Sequence, residues 1–205
     1  YGRGFYEEYK NEQSFSDYGL GDVVIGGATV SSTDLIRRRW LDNDFYGTTF
    51  SLVYDKDKLS SVLGGAWNQY DGRHFGEIIW AEYAANAGND FRYYNSQATK
   101  NDFNIYWKSN YQLADKLNGF LDLQVRNIDY RTAGTDNDLS SFDVDVSYSF
   151  FNPKAGLTYF LNATSDLYAS VGIANREPVR DDFINARAGG TPKPEKLTNL
   201  EIGWR

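Results

Sequence analysis

Apolar and polar residues alternate along much of the chain. In the clearest segment, Phe103, Ile105 and Trp107 occupy every second position, and Asn104 and Lys108 occupy positions of the other set. Successive side chains of a β-strand point to opposite faces of the sheet. A period of two therefore predicts strands with one apolar face and one polar face.

The same period recurs in segments that are separated by turn residues, and we count about eight strands of roughly 10–13 residues. The nine segments behind this round number lie near residues 1–9, 46–54, 59–70, 103–113, 117–126, 143–150, 155–161, 167–173 and 199–205. Tilted strands of this length can cross an apolar layer of about 25 Å.

The connections between the predicted strands alternate between short and long. Short turns lie near residues 55–58, 114–116 and 162–165, and long connections lie near residues 10–44, 71–101, 131–142 and 175–197. Outer-membrane barrels show this alternation, with short periplasmic turns and long extracellular loops. A charge in the middle of a membrane costs roughly 2–4 kcal/mol, so charged residues of the polar faces, such as Asp122 and Arg126, fit a wet lumen.

Composition agrees with a sheet protein and excludes several other classes. The 205 residues are 17% aromatic, and their mean hydropathy of −0.58 reflects the absence of a long apolar run that could form a membrane helix. A net charge of −7 does not suit a protein that binds nucleic acid. Without Cys and with a single His, the sequence predicts neither a Cys/His zinc site nor disulfides. We expect no metal, no cofactor and no nucleic-acid partner.

Several short motifs resemble the late barrel region of TonB-dependent receptors. They are NPKAGLTY at 152–159, LYAS at 167–170, NREP at 175–178, RDDF at 180–183 and KPEKLTNLEIG at 193–203. Two further segments, at 1–10 and 38–47, are also similar to that family. Their order and spacing are more specific than any one of them.

The resemblance implies an all-β fold, an antiparallel transmembrane β-barrel of which this chain supplies about eight strands. Such barrels have about 22 strands, long extracellular loops and an internal plug. Residues 1–205 would then form one partial barrel domain with the plug absent, and we expect both chain ends to be internal to a longer protein. Eight strands cannot close so large a ring.

The same resemblance implies a function in the cell outer membrane. The family imports a scarce ligand of the iron-siderophore, haem, cobalamin or glycan class. The implied partners are outer-membrane lipid, the TonB energy-transducing complex through the missing plug, a small-molecule or oligosaccharide ligand, and a surface lipoprotein.

Candidate ligand contacts are sought on the predicted loops, because function concentrates there. His74 is the one residue that could hold haem iron, although a solvated loop His is the more common case. The candidates are Trp40, Tyr70, His74, Trp80, Tyr93, Tyr94 and Arg187.

A second set of residues follows from the family motifs, and we expect these to shape loops or satisfy polar partners. They are Arg176, Pro178, Pro194, Glu195, Asn199, Glu201 and Gly203.

No catalytic constellation is recognisable, so we expect no enzyme. Residues 136–138 (DND) lack the Gly and Glu of an EF-hand calcium loop. Two alternatives stay open at this point. One is a different outer-membrane barrel, either a porin or a small closed barrel, and the other is a soluble β-rich binding or adhesion module.

Overall fold

The computed structural model describes residues 1–85, 88, 90–186 and 190–205, and within them the chain is almost entirely β-strand. Two short helices interrupt the strands, a 3₁₀ helix at Phe15–Tyr18 and α1 at Arg180–Ile184. The strands are β1 (Gly2–Ser14), β2 (Val23–Ile25), β3 (Ala28–Val30), β4 (Ser32–Lys56), β5 (Leu59–Ala81), β6 (Phe91–Ala114), β7 (Leu117–Thr135), β8 (Ser141–Phe151), β9 (Lys154–Asn162), β10 (Ser165–Arg176) and β11 (Glu195–Trp204).

One sheet holds all strands except β2 and β3, in the order β1-β4-β5-β6-β7-β9-β10-β11, and β8 also pairs with β7. Because β8 and β9 both pair with β7, they occupy one position in the sheet, as a single strand that is interrupted at Asn152 and Pro153. Proline has no N–H to donate to a ladder, which explains a break at this position. The described chain thus has eight strand positions in this sheet, and the predicted number of about eight is confirmed.

The predicted strand lengths are correct for the last third of the chain and wrong for the middle. β8 to β11 have 9–12 residues, whereas β4, β5, β6 and β7 have 25, 23, 24 and 19. Much of the predicted long connections 10–44 and 71–101 is therefore strand. Charged and aromatic residues occur on both faces there, so alternation of polarity could not reveal these strands.

The predicted short turns are confirmed at 57–58, 115–116 and 163–164. Among the described residues, no helix has the length and apolar character needed to cross a membrane.

Residue contacts divide the chain into two compact units. Unit 1 comprises Tyr1–Tyr46, Gln69–Lys100 and Tyr130–Val146, and unit 2 comprises Gly47–Asn68, Asn101–Asp129 and Ser147–Arg205.

Unit 1 has a buried cluster of aromatic and aliphatic side chains. Its buried members are Tyr18, Leu35, Ile78, Tyr93 and Tyr94. Three of the five are tyrosines, so the packing here joins apolar rings to hydroxyl groups that need hydrogen-bond partners.

Unit 2 has two chemically different sheet faces. The antiparallel register aligns Gly119, Leu157, Ala169 and Ile202 in one cross-strand row. The next row along the strands belongs to the opposite face, and it aligns Asn118, Thr158, Tyr168 and Gly203. Large apolar side chains of the first face are exposed, with Ile202 at 78% and Leu157 at 50%.

Candidate functional site

Strands β1 and β4 present two different sets of side chains in unit 1. Tyr6 pairs with Arg39 and Glu8 pairs with Arg37, and these alternate pairs share a face that we call the Arg39 face. The intervening pairs lie on the opposite face, which we call the Trp40 face. They are Phe5 with Trp40 and Glu7 with Arg38.

Arg39 is half-buried, and its hydrogen-bond partners are two phenol oxygens. Its Nε donates to the hydroxyl of Tyr94 at 3.2 Å, and its Nη1 donates to the hydroxyl of Tyr6 at 2.7 Å. The guanidinium carbon lies 5.6 Å and 5.7 Å from the centres of the same two rings. Among the described residues, no carboxylate forms an ion pair with Arg39.

On the Arg39 face, the cations next to Arg39 outnumber the carboxylates that pair with them. Glu8 accepts from Arg37 at 2.7 Å and from Lys10 at 2.9 Å. One carboxylate therefore serves two cations on these strands, and the Arg39 face carries a local excess of positive charge.

Three tyrosines pack beside this face. Tyr93 contacts Tyr18 and Tyr94 edge to face, with ring centres 4.8 Å and 5.0 Å apart. Tyr18 lies in the 3₁₀ helix, and burial raises the pKa of its phenol. The Tyr93 hydroxyl is buried and has no hydrogen-bond partner among the described residues.

The Trp40 face is an aromatic and ionic cluster. Trp40 packs against Phe5 and Phe75 with ring centres 4.6 Å and 5.9 Å apart, and its Nε1 donates to Glu77 at 2.9 Å. Arg92 covers the Phe75 ring at 4.0 Å and pairs with Glu77 at 3.2 Å. Each polar group named here has a partner, which is typical of a structural cluster.

The aromatic candidates and His74 lie in strands, not in the loops where the sequence placed them. Their positions are Trp40 in β4, Tyr70, His74 and Trp80 in β5, and Tyr93 and Tyr94 in β6. This wrong placement has the same cause as the wrong strand lengths. Where charged and aromatic side chains lie on both faces of a strand, the sequence lacks the alternation that predicts a strand. Arg187 lies outside the described residues.

The remaining members of this set have ordinary structural contacts. The Tyr70 hydroxyl donates to Asn43 Oδ1 at 2.7 Å. Exposed Trp80 stacks on Tyr9, with ring centres 6.5 Å apart. The carbonyl oxygen of His74 accepts from Ser96 Oγ at 3.4 Å. The structure therefore brings together Tyr93 and Tyr94 at the Arg39 face and leaves Trp40 on the opposite face.

Unit 2 contains a polar network that the sequence did not suggest. Arg126 of β7 donates through Nη2 to Asp102 Oδ2 at 2.5 Å and through Nη1 to Glu177 Oε2 at 3.0 Å. The three side chains are only 10–24% exposed. The network ties Glu177, just after β10, to the sheet. Arg126 was recognised only as a polar-face residue, because its partners lie 24 and 51 positions away.

Comparison with known proteins decides the family. A model of the TonB-dependent receptor-like β-barrel matches residues 2–205. The chain belongs to this family.

Two solved structures share the fold of this chain. The ferric-catecholate import receptor Fiu from E. coli K12 is 14% identical, with a TM-score of 0.54 over 85% of this chain and 29% of its own. The ferric citrate transporter FecA is also 14% identical, with a TM-score of 0.56 over 85% of this chain and 26% of its own. The chain thus spans less than a third of either structure. Curated proteins gave no match to the chain.

Membership of the TonB-dependent receptor family confirms the predicted resemblance and the all-β, antiparallel barrel fold class. It also displaces the two alternatives, a porin or small closed barrel and a soluble binding module, since the family match covers nearly the whole chain.

Residues of the family motifs have structural contacts in this TonB-dependent receptor barrel. Arg176 pairs with Glu195 at 3.1 Å across β10 and β11, where the two residues are in register. Asn199 Nδ2 donates to Glu201 Oε1 at 2.8 Å. These contacts support the structural role that we expect for the motif, and that role stays a prediction.

Gly203 and the two prolines of the motif shape the backbone. A Cβ at Gly203 would overlap the ring of Tyr168 on the neighbouring strand. Pro178 and Pro194 lie in the connection from β10 to β11, where the missing N–H of proline breaks no ladder.

Proposed function

We propose that the chain is the barrel portion of a TonB-dependent transporter that imports a scarce ligand across the cell outer membrane. The observation that carries this proposal is the division of unit 2 into an exposed apolar face and a polar face. A water-soluble sheet rarely leaves a contiguous apolar face of this kind uncovered.

The apolar face has the character of a lipid-facing surface. Leu200, Ile202 and Trp204 of β11 are 71–78% exposed, and the register aligns each with an apolar residue of β10. Near the short turn, Tyr159 and Trp204 both pair with Leu167 and place aromatic rings at one border of this face. Aromatic residues gather at membrane–water interfaces because their rings are amphipathic.

The polar face has the character of a wet lumen. Asp122 lies opposite Lys154 and also 3.7 Å from Lys108. Ionic side chains at this depth would be costly in lipid, so a water-filled interior or the surface of a plug suits them.

Residues 1–205 are then one partial barrel domain, and the plug and the TonB-contacting segment belong to the rest of the transporter. The ligand is a small molecule or oligosaccharide of the iron-siderophore, haem, cobalamin or glycan class. We propose no enzymatic activity, and a surface lipoprotein partner stays a prediction.

Uptake in cells tests this function. Removal of the gene should abolish energy-dependent uptake of one ligand from a panel that covers the four classes, and the complete gene should restore it. Uptake should also stop when the TonB complex is inactivated. Normal uptake of every ligand in the panel after gene removal, or uptake independent of TonB, would contradict the proposal.

A further inference from the structure

We infer that Arg39, Tyr6 and Tyr94 form a binding site for an oxyanion group, such as a carboxylate or phosphate, carried by the imported ligand. This inference rests on the proposed function, because it concerns the ligand of that transporter. It adds the charge of the ligand group and the residues that bind it.

The first support is the missing counter-ion of Arg39. A half-buried charge is normally paired, because partial loss of water weakens its solvation. Arg39 instead has two neutral hydroxyls as its partners among the described residues. Its charge is therefore available to a ligand group that brings a negative charge.

The second support is the number of donors that remain without an acceptor. A guanidinium has five N–H donors, and the two hydroxyls use one at Nε and one at Nη1. Since the Tyr6 and Tyr94 oxygens accept from Arg39, their own protons stay available for donation. The Nη2 group and the two phenol O–H groups therefore remain as donors for an oxyanion.

The third support is the electrostatic setting of these residues. Lys10 and Arg37 share the single carboxylate of Glu8, so the surrounding charge also favours an anion. The Tyr93 hydroxyl adds an unsatisfied buried donor in a ring that contacts Tyr94.

Arg38 provides a matched control on the adjacent residue. It lies on the Trp40 face, and its Nε and Nη2 both donate to Glu7 Oε1, at 2.9 Å and 2.7 Å. Its charge is already compensated, so its removal should not affect an anion bound at Arg39.

The test is anion binding by the complete transporter in detergent. Citrate and inorganic phosphate are titrated by calorimetry at constant ionic strength, into the wild type, Arg39→Gln, the double variant Tyr6→Phe/Tyr94→Phe, and Arg38→Gln. We expect saturable binding to the wild type and to Arg38→Gln. Arg39→Gln should weaken binding about tenfold or more, and the double variant should weaken it by a smaller factor.

Two results would overturn the inference. One is equal binding by the wild type and Arg39→Gln. The other is no saturable binding of either anion to the wild type. Thermal unfolding of each variant in the absence of anion separates loss of fold from loss of binding.

The uptake of charged and neutral ligands separates this inference from the proposed function. With anionic ferric citrate and an uncharged ferric trihydroxamate as probes, Arg39→Gln should reduce uptake only of the anionic chelate. Undiminished uptake of the anionic chelate by Arg39→Gln would overturn the anion site and leave the transporter function intact. Anion binding in detergent without TonB-dependent uptake would contradict the transporter function instead.

Discussion

The two units of this barrel segment distribute polar and apolar side chains over the faces of the sheet in different ways. In unit 2 the strands separate apolar from polar side chains, so one face is apolar and exposed. In unit 1 both faces carry charges and aromatic rings, such as Arg37 and Arg39 on one face and Arg38 and Trp40 on the other. The difference agrees with the proposed function, in which the apolar face of unit 2 contacts lipid and unit 1 contacts water and the ligand.

The largest expected effect comes from a charge on the apolar face of unit 2. Leu157→Arg places a cation between Gly119 and Ala169, and we expect it to destabilise the barrel by about 2–4 kcal/mol in lipid. Thr158→Arg, one position along on the polar face, should cost well under half of that. Folding into liposomes, followed by heat-modified gel mobility of the complete protein, measures both. Equal losses would remove the distinction between the faces.

The next effect concerns the polar network of unit 2. Arg126→Met leaves Asp102 and Glu177 without their shared cation, and we expect a loss of about 1–3 kcal/mol in thermal unfolding. Arg176→Met is the control, because its pair with Glu195 is exposed and should contribute less than about 1 kcal/mol. A combined Asp102→Asn, Arg126→Gln, Glu177→Gln variant should recover part of the loss. If Arg176→Met lowers the free energy of unfolding as much as Arg126→Met does, burial does not explain the stabilisation by the network.

A smaller effect distinguishes the tyrosines of unit 1. Tyr93→Phe removes a buried hydroxyl that lacks a partner, so it should leave stability unchanged or raise it by up to about 1 kcal/mol. Tyr94→Phe removes an acceptor of Arg39 and should lower stability instead. Melting temperatures of the two variants decide the point, and a clear loss in Tyr93→Phe would show that its hydroxyl has a partner.

The smallest effect is a pH dependence in unit 1. Burial raises the pKa of Tyr18 above its ordinary value of 10.0, because the phenolate is disfavoured in the buried cluster. The resulting stabilisation is complete below pH 10 and is lost as the pH rises through the raised pKa. Tyr18→Phe should therefore flatten the fall of melting temperature above pH 10, and exposed Tyr1→Phe should not. Identical alkaline profiles for both variants would contradict this.

The sequence predicted unit 2 well because apolar and polar side chains alternate regularly along its strands. The segments around Leu157, Val171 and Ile202 were placed correctly from the period of two alone. In residues 32–44 the same period is hidden, since Arg37, Arg38 and Arg39 put cations on both faces. Each of these cations is stabilised by a partner on another strand, which local polarity does not reveal.

The candidate site was predicted only in part for a related reason. Tyr93 and Tyr94 were selected as aromatic residues, and both lie beside the Arg39 face. Arg39 was not selected, because its partners Tyr6 and Tyr94 are 33 and 55 positions distant. Only the pairing of β1 with β4 and the packing of β6 bring these groups together. The polar network of Arg126 was missed for the same reason, as its partners are also remote in sequence.

Lipid exposure of the apolar face is the most direct test of the central claim. Single cysteines at positions 157 and 158 of the complete protein, in a background without other cysteines, would carry a fluorophore in liposomes that contain nitroxide-labelled lipid. We expect the lipid to quench the label of Leu157→Cys strongly, and a water-soluble quencher to reach that of Thr158→Cys. Quenching of both labels by the water-soluble quencher alone would show that this face does not contact lipid and would contradict a membrane-spanning barrel.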